Sequence, residues 1–286
     1  LAENSRAKIL AQVQSIKVIR TKNGENMAFL QVTDTKKKLD VTLFPETYKL
    51  LANRIKEKGI YFAVASGRGL LSLEKHFADV KDEIIFIAEN GSLVRFHGED
   101  LYEATMPRDF YLSTFEKLKT SPYFDEKKML LTGKKACYVL DTVDETYLMF
   151  SHHYNENIKK VARLEDITDE IFKFTTNFTE ETVEAGEAWV NEHVPGVKAM
   201  TTGFESIDIV LDHVDKGVAI VELAKKLNLD MDQVMAFGDN LNDLHMMQVV
   251  GHPVAPENAR PEILELAETV IGHHKDQSVI AYMEGL

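Results

Sequence analysis

The segment from Gly238 to Asp243 contains the residue types that bind divalent cations. An apolar run ends at Gly238, and Asp239, Asn242 and Asp243 follow it. Carboxylate and amide oxygens are hard ligands, of the kind that Mg²⁺ uses together with water and phosphate oxygens. The same residue types are common in ordinary turns, where their side chains bond to the local backbone. The segment therefore predicts either a magnesium site or a structural turn.

Two further segments place anion-binding groups at the starts of predicted helices. Ser66 follows an apolar run, and its hydroxyl, with the amides of Gly67 and Arg68, is placed to hold a phosphate at a helix N-terminus. Lys216 precedes a helix that begins at Gly217, where a cation is unfavourable to the helix dipole unless an anion lies nearby. The alternatives are a serine that only caps its helix and a solvated surface lysine.

Predicted strands and helices alternate around these segments. Strands are predicted over 60–65 and 83–88 and around 234; helices are predicted over 47–58, 70–77, 217–227, 241–249 and 261–267. This alternation is typical of a parallel α/β sheet, in which ligands bind beyond the carboxyl ends of the strands. We therefore expect Ser66, Lys216, Asp239 and Asn242 to converge on one cleft.

The middle of the chain, from about residue 92 to 196, lacks this alternation. Apolar runs at 136–140, 147–150 and 171–174 predict extended segments, and the patterns at 110–119 and 180–192 predict helices. We interpret this region as an α+β cap domain, inserted into a core made of residues 50–91 and 197–286. The expected fold class is α/β, a Rossmann-like parallel sheet core with an inserted cap.

Composition limits the classes of partner. A net charge of −13 over 286 residues argues against a general binder of nucleic acid or anionic membranes. A local metal can still attract a phosphorylated metabolite. Cys137 is the only cysteine, which excludes a disulfide framework and a thiolate zinc site. No apolar run has membrane-spanning length, and we see no signal-peptide pattern, so we expect a cytoplasmic protein.

Five motifs, in order, resemble the haloacid-dehalogenase superfamily, in its Cof-type sugar-phosphatase branch with a large α+β cap. They lie between about residues 45 and 286: Val64–Arg68, Glu89–Gly91, Asp215–Gly217, Gly238–Asp243 and Val254–Ala259. The resemblance implies a Mg²⁺-dependent hydrolase of small phosphorylated metabolites such as sugar phosphates.

The resemblance also assigns roles to the site residues. It implies that Ser66 and Lys216 hold the phosphoryl group and that Asp239 binds Mg²⁺. Asn242 is placed to bond the substrate phosphate, and Asp243 is placed to orient the site through hydrogen bonds.

The resemblance fails at the nucleophile. The family begins with a strand that ends in Asp-x-Asp-Gly-Thr, whose first Asp is the nucleophile and whose second is the general acid/base; this chain has no such motif. One alignment puts Val32 at the nucleophile position and Asp34 at the acid/base position. A shift of two residues makes Asp34 the nucleophile and a metal ligand, and puts Lys36 at the acid/base position. Neither alignment restores both carboxylates, so we expect impaired hydrolysis; the alternative is an inactive family member that still binds Mg²⁺ and phosphate.

Residues 1–49 have a different character, with nine Lys/Arg against five Asp/Glu. They resemble part of the OB-fold of the bacterial DNA polymerase III alpha subunit, with strands predicted over 9–19, 27–33 and 39–44 and a turn at Asn23-Gly24. The chain thus looks like a junction of two families, a possible chimera. Residues 27–33 either supply the first core strand or belong to a partial OB meander outside the core. A single-stranded nucleic-acid binding module is disfavoured, because aromatics are few here and the rest of the chain is acidic.

Overall fold

The computed structural model describes the backbone of strands 12–20, 26–33 and 38–43, together with residues 59–78, 80–203 and 205–285. The chain divides into two compact units. We call residues 1–62 with 232–286 the terminal unit, and residues 63–231 the central unit. Within the described residues, no helix is long and apolar enough to cross a membrane.

The terminal unit begins with an antiparallel meander of β1 (Gln12–Arg20), β2 (Asn26–Thr33) and β3 (Lys38–Leu43). Strand β2 lies in the middle and bonds to β1 along one edge and to β3 along the other. Because both of its edges are occupied, β2 is not a strand of a parallel sheet. The structure therefore gives residues 27–33 to the meander and corrects the interpretation that they supply the first core strand. The Asn23-Gly24 turn and the predicted helix 47–58 lie outside the described residues.

The C-terminal part of the terminal unit, from residue 232, contains a parallel sheet of β14 (Met235–Phe237), β15 (His252–Pro256) and β16 (Thr269–Ile271), in that order. Short helices, numbered with those of the central unit, connect and follow these strands: α6 (Leu244–Val249), α7 (Pro261–Leu264) and α8 (Ser278–Glu284). The strand–helix alternation predicted for this part of the sequence is confirmed.

The central unit contains a four-stranded sheet in the order β4 (Ala63–Ala65), β5 (Ile85–Ala88), β6 (Leu93–Phe96) and β7 (Glu99–Glu103). Strands β4 and β5 are parallel and are connected through α1 (Leu70–His76). All four residues of β5 are buried, whereas β4 is only partly covered.

A mixed six-stranded sheet forms the rest of the central unit. Its strands, in spatial order, are β10 (Ile158–Val161), β9 (Cys137–Leu140), β8 (Met129–Gly133), β11 (Ile171–Asn177), β13 (Ser206–Leu211) and β12 (Val197–Gly203). The helices of this part are α2 (Arg108–Leu118), α3 (Glu145–Ser151) and α4 (Val183–His193), whereas α5 (Lys216–Leu227) packs against the four-stranded sheet. An apolar cluster joins one face of the sheet to α2 and α4.

Two sequence expectations differ from this arrangement. The chain was expected to return to the core at residue 197, but β12 and β13 form a hairpin that pairs with β11 and extends the six-stranded sheet to residue 211. Residues 147–150 were expected to be extended, but they lie in α3, because the carboxylate of Asp144 accepts the amide of Tyr147 at 2.8 Å and caps a helix there. The α/β class is confirmed.

Candidate active site

The loop after β4 is held by hydrogen bonds to the segment after β5. The amide of Ser66 donates to Ile87 O (2.9 Å), Ser66 O accepts from the amide of Asn90 (3.1 Å), and Arg68 O accepts from the amide of Glu89 (3.0 Å). The Ser66 hydroxyl accepts the amide of Arg68 at 3.1 Å. Helix α1 starts after Gly69 without a side-chain cap from that residue, so Ser66 is not the N-cap of the alternative interpretation.

The segment Glu89–Gly91 turns sharply through three successive left-handed residues, with φ of 53°, 56° and 101°. A Cβ at Gly91 would overlap the carbonyl oxygen of Asp215, so only glycine lets the turn lie against the start of α5. The same turn bonds to the Ser66 loop. It therefore connects the loop that contains Ser66 with the helix start that contains Lys216.

Lys216 is buried, with 5% of its surface exposed, so it is not the solvated surface lysine of the alternative interpretation. The preceding residue, Asp215, caps α5 by accepting the amide of Val218 at 2.9 Å. The Asp215 carboxylate also pairs with Lys198 at 3.2 Å. A carboxylate at the helix start offsets the unfavourable position of the lysine in the dipole.

Sequence reasoning missed a buried ion cluster beside these loops. Lys173 Nζ lies 2.7 Å from Asp208 Oδ2 and 3.5 Å from Glu89 Oε2, and all three side chains are buried. Asp208 also accepts from Asn90 Nδ2 and from Thr175 Oγ1, each at 2.7 Å. The sequence contains one signal that could have indicated this cluster. Each of two apolar runs, Ile171-Phe-Lys-Phe174 and Ile207-Asp-Ile-Val210, contains a single charged residue.

Strand register brings the members of this cluster together. Thr175 pairs with Asp208 across β11 and β13, and Lys173 pairs with Thr132 across β11 and β8. Directly paired residues share a face of the sheet, and residues two apart on a strand share it too. Lys173, Thr175 and Asp208 therefore project from the same face.

Burial and charge determine the protonation of this cluster. Burial raises the pKa of Glu89 to about 7, although Lys173 opposes the shift. Burial alone would lower the pKa of Lys173, but Asp208 and Glu89 raise it above its ordinary value. Lys173 is therefore a charged donor at neutral pH.

In the terminal unit, the segment after β14 is organised by Asp243. Its buried carboxylate accepts the amides of Asp239 (3.1 Å) and Asn240 (3.3 Å). The carbonyl of Asp239 accepts the amide of Arg260 at 3.0 Å. This fixes the backbone of Asp239 while its side chain is exposed, and Asn242 is half-buried. An exposed carboxylate on a fixed backbone suits Mg²⁺, which completes its coordination with water and phosphate oxygens.

The candidate site residues are distributed over both units. Ser66, Gly67, Arg68 and Lys216 belong to the central unit, and Asp239, Asn242 and Asp243 belong to the terminal unit. No group of three His, Cys, Asp or Glu side chains suited to a metal occurs in the part of the chain that the structure describes. Asp34 lies outside that part, so its predicted roles remain predictions.

Comparison with known proteins finds two kinds of relative. The chain is 28% identical over 236 residues to the 5-amino-6-(5-phospho-D-ribitylamino)uracil phosphatase YbjI of Escherichia coli, covering 82% of this chain and 86% of the relative. It is 52% identical over 63 residues to DNA polymerase III subunit alpha of Streptococcus pyogenes, covering 22% of this chain and 6% of the polymerase subunit. These two shares together exceed the whole chain, so the two similarities share a short segment.

Solved structures show the same fold. SMU.1108c from Streptococcus mutans matches with a TM-score of 0.76 at 21% identity, covering 94% of each chain. The HAD subclass IIB sugar phosphatase BT4131 matches with a TM-score of 0.69 at 17% identity, covering 85% of this chain and 91% of its own. Both resemblances drawn from the sequence motifs are thus confirmed.

A family model described as haloacid dehalogenase-like hydrolase matches residues 40–283. The match begins at Asp40, a residue that sequence reasoning passed over, and Asp40-Val-Thr42 has the spacing of the Asp-Gly-Thr half of the family motif. An alignment on that spacing would place Lys38 at the nucleophile position, and Asp34 lies before the matched region. The match covers most of the chain, which therefore belongs to the haloacid dehalogenase-like hydrolases and is by family a phosphatase.

Proposed function

We propose that this chain binds Mg²⁺ and small phosphorylated metabolites, such as sugar phosphates, and that its hydrolysis of them is impaired. The observation that carries the proposal is the loop Ser66–Arg68, whose carbonyl groups at Ser66 and Arg68 are bonded to the Glu89–Gly91 turn. These bonds fix the loop at the end of β4, where the Ser66 hydroxyl can still donate a hydrogen bond and the Gly67 amide lies beside it to bind an anion. The names of YbjI, a phosphoribitylaminouracil phosphatase, and of BT4131, a sugar phosphatase, support a small phosphorylated ligand.

Each site residue has a role in this proposal. Ser66 and the amides of Gly67 and Arg68 bind phosphoryl oxygens. Lys216 neutralises phosphate charge, because a buried ammonium is poorly screened by water. Asn242 would donate its side-chain amide to a phosphate oxygen.

Asp239 would hold Mg²⁺ by its exposed carboxylate, with Asp243 fixing its backbone. When bound, the ion would neutralise phosphoryl charge and orient the group. The part of the central unit that is built on the six-stranded sheet, from about residue 104 to 211, would form the cap that selects the leaving group.

The impairment follows from the missing carboxylates. None of the three alignments, with Val32, Asp34 or Lys38 at the nucleophile position, supplies both carboxylates of Asp-x-Asp. Valine and lysine cannot attack phosphorus as a carboxylate does, so covalent catalysis through an aspartyl phosphate lacks its nucleophile or its acid/base partner. Binding needs neither group and survives in this proposal.

The test is binding of inorganic phosphate, measured by calorimetry with and without Mg²⁺. We expect Ser66→Ala to weaken binding about tenfold, the value of one hydrogen bond to a charged group. Asp239→Asn should remove the dependence on Mg²⁺. Ser113→Ala, at an exposed serine in α2, is the matched control and should change nothing. Absence of phosphate binding, or an Asp239→Asn variant that keeps its Mg²⁺ dependence, would contradict the proposal.

A further inference from the structure

The three consecutive carbonyl groups of the Ser66–Arg68 loop all accept hydrogen bonds. Two accept from backbone amides, and the third accepts from a side chain. Backbone amides hold the carbonyls of Ser66 and Arg68. The carbonyl of Gly67 accepts from Lys173 Nζ at 2.6 Å. Lys173 is on β11 of the six-stranded sheet, 106 residues away in sequence, so this bond joins the loop to the other sheet of the central unit.

We propose that Lys173 is a positioning residue that fixes the plane of the Gly67–Arg68 peptide for phosphate binding. In a trans peptide the C=O and the N–H point in opposite directions. Anchoring the Gly67 carbonyl on Lys173 therefore turns the Arg68 amide the other way, toward the Ser66 hydroxyl that accepts it at 3.1 Å. This inference rests on the proposed function, in which phosphate binds on the side of the peptide to which the Arg68 amide points.

Glycine makes such an anchor necessary. Gly67 can adopt backbone conformations on both sides of φ = 0, so the following peptide can rotate with little steric cost. A flipped peptide would present the Gly67 carbonyl oxygen to an incoming anion, which it would repel. Glycine is nevertheless required here, because a Cβ at Gly67 would lie 2.7 Å from Asn90 Oδ1.

The surroundings of Lys173 keep it in one orientation. Asp208 accepts from it at 2.7 Å, and the same carboxylate is held by Asn90 and Thr175. Glu89 lies 3.5 Å away on the turn that also bonds the loop. The ammonium is thus buried among acceptors that leave the Gly67 carbonyl as its third close partner.

The experiment compares the unaltered chain with Lys173→Met and with Lys173→Met/Asp208→Asn. The double variant avoids leaving a buried Asp208 carboxylate beside an apolar side chain. The matched control is Phe174→Leu, a buried neighbour on β11 that packs in the apolar cluster on the opposite face. Two quantities are measured: hydrogen exchange at the Arg68 amide by NMR, and affinity for inorganic phosphate with Mg²⁺ by calorimetry.

We expect both Lys173 variants to exchange the Arg68 amide at least tenfold faster and to bind phosphate at least tenfold more weakly, whereas Phe174→Leu changes neither. A folded double variant whose phosphate affinity stays within twofold of the unaltered chain would overturn the inference, whatever its thermal stability. If the unaltered chain binds no phosphate, the proposed function is refuted and the binding role of Lys173 falls with it. Faster Arg68 exchange in the variants would then still show that Lys173 fixes the peptide.

Discussion

The buried ion cluster of the central unit contains two carboxyl groups and one ammonium group, those of Glu89, Asp208 and Lys173. Water is largely excluded from it, because all three side chains are buried. With both carboxylates ionised the cluster has a net charge of −1, and protonation of Glu89 makes it neutral. Asp208 accepts three hydrogen bonds, whereas Glu89 Oε2 accepts none from the described residues and lies 3.5 Å from Lys173. The proton therefore belongs on Glu89, whose pKa burial raises to about 7.

Glu89 should make the stability of this protein fall as pH rises. Because its pKa rises from 4.5 in the unfolded chain to about 7 when folded, the folded state binds the proton more tightly. That contribution is fully present below pH 4.5 and is lost as pH rises through 7, by an upper limit of about 3 kcal/mol. Glu89→Gln should remove this dependence. The measurement is denaturant unfolding from pH 5 to 8.5.

Glu180→Gln, at an exposed glutamate in the same unit, is the control and should keep the pH dependence of the unaltered chain. Equal slopes of unfolding free energy against pH for Glu89→Gln and the unaltered chain would contradict the assignment of the buried proton to Glu89.

Gly91 and Gly98 both have positive φ, of 101° and 76°, but differ in the space around them. A Cβ at Gly91 would overlap backbone atoms of Asp215, whereas a Cβ at Gly98 would meet nothing within 4 Å. We expect Gly98→Ala to cost about 1 kcal/mol from backbone strain alone, and Gly91→Ala to cost about 2–4 kcal/mol because the α5 start must also move. Urea unfolding of the two variants measures both costs. Similar losses of unfolding free energy in the two variants would show that packing against Asp215 does not require glycine at position 91.

At the scale of elements, a helix cap explains why residues 147–150 form a helix although their apolar pattern predicted an extended segment. Residues Tyr147–Phe150 have the apolar character of a strand, yet they form α3. The Asp144 carboxylate accepts an amide at the start of the helix, and Tyr147 belongs to the same buried apolar cluster as Leu130 and Val139 of the sheet. An aspartate three residues before an apolar run is a helix start signal, and here it outweighed the strand pattern.

Asp144→Ala should therefore destabilise the central unit by about 1 kcal/mol, the usual loss of a helix N-cap. Asp141→Ala, at an exposed aspartate three residues earlier, should be neutral within about 0.5 kcal/mol. Thermal or urea unfolding of both variants checks the prediction. A loss at Asp141 equal to that at Asp144 would show that negative charge near α3, not the cap, provides the stabilisation.

At the scale of the whole molecule, two sequence families meet in one chain. The N-terminal meander ends at Leu43, and the family match starts at Asp40, within its last strand. In the proposed function the chain has no in-line carboxylate, and the loss of positioning and covalent catalysis together would slow hydrolysis on the order of 10⁴-fold or more.

We therefore expect p-nitrophenyl phosphate hydrolysis with Mg²⁺ to be at least about 10⁴-fold slower in this chain than in YbjI measured in parallel. If Asp34 does act as the nucleophile, Asp34→Asn will abolish any residual rate. Val32→Asp and Lys38→Asp test the other two alignments. Robust turnover of the unaltered chain that persists in Asp34→Asn would refute both the impairment and the assignment of Asp34.

The sequence by itself determined the local motifs and the class of the fold. Strand-to-turn transitions at Ser66, Glu89 and Gly238 are visible in apolar runs that end at glycine or polar residues, and the helix over 217–227 follows from its period. These features depend on neighbouring residues only, so they can be predicted from the sequence.

Tertiary structure decided everything that depends on pairing between distant strands. It assigned residues 197–211 to the six-stranded sheet, gave β2 two antiparallel partners, and buried Lys173 against Asp208 and Gly67. The sequence around Lys173 does not show whether its side chain faces solvent or a buried carboxylate. Its partner, Asp208, lies 35 residues away in the chain, and only the register of β11 and β13 brings the two side chains together.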